Sequence, residues 1–153
     1  MKVFKILTFL LIFPFVKLSA QFSIETFLNE PCDNTTESVK QKLAGKTLEE
    51  KEIKNYKALM YYDWLEPISI KVGYLFTKEG RQNGKMISNS KDDEGDAQKL
   101  FDISKFVIIK MYGNDYSETN MFGITMISWK GMEGFSVILT MKGTKTMLAI
   151  MKI

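Results

Sequence analysis

The chain has 153 residues, 45% of them hydrophobic, with 21 basic and 18 acidic side chains, no histidine and one cysteine. That length suits one domain able to bury about two-thirds of its unfolded surface. Without histidine there is no Ser-His-Asp triad, Cys-His pair or His-ligated metal. A single cysteine excludes an internal disulfide, a Cys-rich metal site and CxxC redox chemistry.

Residues 1–20 have the pattern of a secretory leader: basic Lys2 and Lys5, an apolar run from Ile6 to Val16, and Leu18-Ser19-Ala20 before Gln21. The uncharged run between Lys5 and Lys17 is shorter than the roughly 20 residues that a bilayer-spanning helix needs, and Pro14 interrupts it. The expectation is a signal peptide at 1–20, a single domain at 21–153 with no transmembrane segment, and a secreted or periplasmic location. The leader holds three lysines and no acid, so the remainder carries 18 charges of each sign. That balance gives no basic face for nucleic acid.

Ser23 is placed to cap a short helix through Leu28, and Thr35 or Thr36 a second one to about Ala44, with Gly45 at its end. Asn34-Thr35-Thr36 is also an N-glycosylation sequon. Thr47-Leu48-Glu49-Glu50 reads as a capping box, and Ile53, Tyr56, Met60 and Trp64 recur at spacings of three and four. The spacing predicts the longest helix over 47–65, stopped by Pro67. From Ile68 to Phe76 the period changes to two, which predicts a half-buried strand. A turn at Asn83-Gly84 returns the chain as a short strand over Lys85–Ser88. A helical turn over Ala97–Asp102, capped by Asp96, follows the acidic loop Asp92–Asp96. Further strands are predicted at Lys105–Tyr112, Asn120–Trp129, Phe135–Lys142 and Thr146–Ile153, linked by Gly-containing turns and hence antiparallel.

The expected fold is therefore α+β, with N-terminal helices packed on a curved antiparallel sheet of five to six strands. In element order it resembles helix-on-curved-sheet architectures such as the cystatin-like and NTF2-like groups. Segments 106–111 and 147–151 are apolar at successive positions, so the middle of the sheet needs a cover on both faces.

No phosphate-cradling glycine motif is present, the acidic loop fails the calcium-loop spacing at both chelating ends, and no cofactor or metal is expected. On alternating positions Met111, Phe122, Ile124, Met126, Leu139, Met141 and Met151 are candidates to line one apolar ligand cavity. Trp129, Met132 and Tyr116 are candidates for a partner contact, with Trp129 favoured as core. The resulting expectation is a small exported, non-catalytic binding module for an apolar small molecule. A protein-interaction or inhibitor module is the alternative, with Cys32 able to bridge a homodimer. The third reading is a hydrolase that uses two acids from among Asp102, Asp115, Glu118 and Glu133.

Overall fold

The computed structural model describes residues 21–53, 55–130 and 134–153. The leader at 1–20, Met132 and Glu133 lie outside the described residues. Two short helices, α1 (Ile24–Asn29) and α2 (Thr36–Lys42), precede four strands, β1 (Glu49–Ile53), β2 (Tyr56–Leu65), β3 (Ile68–Phe76) and β4 (Gln82–Asn89). Helix α3 (Glu94–Tyr112) then leads to β5 (Tyr116–Met121), β6 (Ile124–Lys130), β7 (Phe135–Lys142) and β8 (Lys145–Lys152). All eight strands form one antiparallel sheet in the order β1-β2-β3-β4-β8-β7-β6-β5. Two four-stranded meanders thus meet at a β4–β8 seam, and α3 carries the chain from one to the other.

This corrects the expected fold. Among the described residues the protein is mostly sheet, with eight strands and three helices, rather than helices on five to six strands. The segment predicted as the longest helix is the β1–β2 hairpin, closed where Ile53 pairs with Tyr56. Its aromatic residues at 56, 61, 62 and 64 suit a pleated surface, and four successive buried residues, Ala58 to Tyr61, show that the middle of β2 is covered on both faces. A stripe spaced by three and four cannot report such a strand. The capping-box residues Thr47–Glu50 instead lead into β1.

The reverse holds at 105–112, where the expected strand is the second half of α3. Its buried residues Ala97, Leu100, Phe101, Ser104 and Ile108 keep the helical spacing throughout. The Val107-Ile108-Ile109 run obscured that period. Asp93, not Asp96, is the N-cap, accepting from the Asp96 amide at 2.8 Å. The flanking elements match expectation more closely: Ser23 caps α1, Thr35 caps α2, and β3, β7 and β8 lie within a residue of their predicted bounds.

Register divides the sheet into two faces. Ile68, Ile70, Val72, Tyr74 and Phe76 of β3 pair with or neighbour Leu59, Tyr61, Ile87, Lys85, Leu148 and Ile150 on one side, and the three helices pack there to make the core. The other side carries no helix. It is one side chain deep: a Cβ on Gly73 would meet Met86 and Met60, and one on Gly84 would meet Met151. Methionines from three strands thus lie flat over two glycines. No described helix is long and apolar enough to cross a membrane.

Candidate functional site

A buried polar cluster lies where α1 crosses β2–β4. Register sets Lys85 of β4 beside Tyr74 of β3, both pointing into the helix-covered side. The Lys85 side chain is fully buried, and its ammonium donates to the carbonyls of Phe27 and Glu30 at the end of α1. It also stands 4.8 Å from the centre of the Phe27 ring. A cation on the last carbonyls of a helix is favourably placed against the helix dipole. Burial nonetheless holds the Lys85 ammonium below the usual lysine range, opposed in part by Cys32 and Glu30.

Glu30 links this anchor to the sheet. It accepts from the Tyr74 hydroxyl at 3.2 Å and pairs with Lys42 of α2. A second pair, Lys46 with Asp63 at 2.9 Å, stands beside it, with the Lys46 ammonium 5.3 Å from the centre of the Tyr61 ring. Burial pushes the Tyr61 hydroxyl up to about 12, and burial followed by the Glu30 charge raises that of Tyr74 as well. Burial also raises the Cys32 thiol, against the opposing pull of Lys85. All three groups therefore keep their protons at neutral pH, which makes them poor bases and poor nucleophiles.

Above this cluster α1, α2 and the β2–β3 strands enclose a cleft of about 300 Å³. Phe22, Phe27, Tyr61 and Tyr74 give it an aromatic wall, and Glu30, Lys42, Lys46 and Asp63 carry two charges of each sign around it. Aromatic surface ringed by a few placed polar groups is the usual make-up of a small-molecule site.

The residues singled out from sequence do not form one cavity. Leu139 is in the core on the helix-covered side, and Met141 and Met111 of α3 are half-buried against it. Ile124, Met126 and Met151 register on the helix-free side. Phe122 sits at the β5–β6 turn and is 91% exposed. Of the expected partner contacts, Trp129 is buried with its ring N–H donating to Gly113 at 3.1 Å, and Tyr116 packs on it with ring centres 5.1 Å apart. Cys32 is buried, so a bridge to a second chain requires local opening. Among the acids considered for hydrolysis, Asp102 accepts from Gln98 on α3 and Glu118 pairs with Lys105 at 3.6 Å, while Asp115 stands in the turn before β5. In the acidic loop Asp92 pairs with Lys145 and Asp93 caps α3.

Sequence reasoning missed the cleft because Tyr61 was placed on a helix. The available signal was Lys85: it shares a face with Ile87, so a lysine stands where the alternation calls for an inward residue. Comparison with known proteins gives no match, as no family model, curated protein or solved structure aligns with the chain.

Proposed function

We propose that the chain is a small exported binding module without catalysis, which holds a small molecule in the cleft between α1 and β2–β3. The observation that carries this reading is an aromatic-walled cleft whose rim pairs two acids with two lysines. Its volume lies at the lower end of the range for small-ligand sites. A ligand with an apolar, ring-sized body and a polar end suits it, the body against Phe27 and Tyr74 and the polar end exchanging with a rim ion pair. Tyr61, Tyr74 and Cys32 keep their protons, and the buried Lys85 ammonium is engaged with the carbonyls of Phe27 and Glu30, which favours binding over turnover. The leader pattern at 1–20 supports export, to be checked as a mature N-terminus at Gln21.

Thr26 lines the cleft from the exposed side of α1, so Thr26→Trp fills it without entering the core. Native mass spectrometry of protein recovered from its own cells should show a small-molecule adduct in the parent and none in Thr26→Trp, at an unchanged melting temperature. A bare mass in the parent, or an adduct that the variant keeps, overturns the assignment.

A further inference from the structure

The helix-free side of the second meander mixes Met and Ile with Ser and Thr, and carries charge of one sign. Its most exposed apolar part is the edge β5–β6 hairpin, where Met121 pairs with Ile124 around the two-residue turn Phe122-Gly123. Both turn residues have positive φ, 53° at Phe122 and 74° at Gly123. Such primed turns favour Asn-Gly or Asp-Gly, because a bulky side chain is disfavoured in the left-handed region. Here a phenylalanine occupies that position and makes no use of burial, being 91% exposed. Met121 is 57% exposed and Met126 39%. A strained backbone that presents an unburied ring has no explanation within the fold.

The charges around this apolar tip are basic. Lys142 pairs in register with Ile124, and Lys145 pairs with Lys142, so both flank the hairpin on the same side. Lys130 lies at the far end of β6 on that side. Among the described residues of β5–β8 no carboxylate shares this face; Glu118 points to the other side and pairs with Lys105. The nearest balancing charge is Asp92 of the β4–α3 loop, 2.8 Å from Lys145.

We propose that the Met121-Phe122 tip and the lysines beside it dock this protein on an anionic lipid surface. An aromatic residue raised on a turn is shaped to enter a fluid apolar phase, while lysine side chains reach back to the headgroups. Anionic headgroups supply the charge that this face lacks. A second copy of the chain offers the same lysines and is repelled. The proposal is independent of the cleft, which opens on the opposite side of the sheet.

The test is co-sedimentation of the protein recovered from its own cells with phosphatidylcholine vesicles, with and without phosphatidylglycerol. Binding is expected only with phosphatidylglycerol, and it should weaken as salt rises. Phe122→Asn suits the turn better than the native residue, so lost binding cannot be blamed on misfolding. It should bind about tenfold more weakly or worse, and Lys142→Ala about fivefold more weakly. Both variants keep the parent N-terminus, which cancels any contribution of residues 1–20, and Thr26→Trp should bind as the parent does. No binding to either vesicle, equal binding with and without phosphatidylglycerol, or an unaffected Phe122→Asn variant overturns the proposal. A dimer or an acidic protein partner lost in Phe122→Asn, with no vesicle binding, reassigns the surface.

Discussion

A lysine at an inward strand position must find acceptors or give up its proton. Lys85 does the first by taking two carbonyls at the end of α1, and thereby ties that helix to the sheet under the cleft. The tyrosines beside it set the alkaline limit of the fold. Tyr61 ionises at about 12 when folded, against about 10 in an unfolded chain, and Tyr74 is raised further. Between those values the unfolded chain has already released its proton, so stability is complete below about pH 10 and falls as pH rises through about 12. Lys85, whose folded value is lowered, acts in the opposite sense, but its window closes at the ordinary lysine value of 10.5. Above that pH the falling limb is shared by the tyrosines, Tyr112 among them, and Lys71, whose ammonium the Glu49 hydrogen bond holds above the usual lysine range. Urea midpoints measured from about pH 8 to 12 should fall most steeply in the upper half of the range, and Tyr61→Phe should flatten that part of the decline. A flat profile in the parent would contradict the burial of these hydroxyls.

At the scale of elements, local signals were legible where one face alone is buried. Strand β3 alternates buried and half-buried residues along most of its length, and its period of two was readable without the fold. Helices α1 and α2 announce themselves through Ser23 and Thr35. The failures share one cause. Where burial comes from both sides, as in Ala58–Tyr61 of β2, or where β-branched residues fill a helix, as at 107–109 of α3, the apolar pattern no longer reports its period. Gly84 tests the seam that sequence could not reveal. A Cβ there would stand 2.6 Å from the Ile150 carbonyl, a backbone atom held in the β4–β8 ladder. Gly84→Ala should destabilise the protein by about 2–3 kcal/mol, read as a lower urea midpoint at unchanged slope. A neutral substitution would mean that the two meanders do not approach so closely.

In the whole molecule, the two sides of one sheet serve different purposes. Three helices close one side, and the cleft forms where α1 and α2 leave β2–β3 incompletely covered. The other side carries no helix; methionines lie over two glycines near its middle, and an exposed hairpin stands at the end of the second meander. The apolar character of residues 121–126 was visible in the sequence, but its separation from Leu139 and Met141 was not, because faces are assigned by register and register is a property of the paired strands. The cleft was less legible still, since its wall and rim bring Phe27, Glu30, Lys42, Tyr61, Asp63 and Tyr74 together from distant segments. Its occupancy is the direct question. A crystal structure of the protein recovered from its own cells, without refolding, is expected to show density for a small molecule against Phe27, Tyr61 and Tyr74, contacting one of the rim pairs. An empty cleft in that crystal, with the Glu30–Lys42 and Lys46–Asp63 pairs intact, would contradict the binding role.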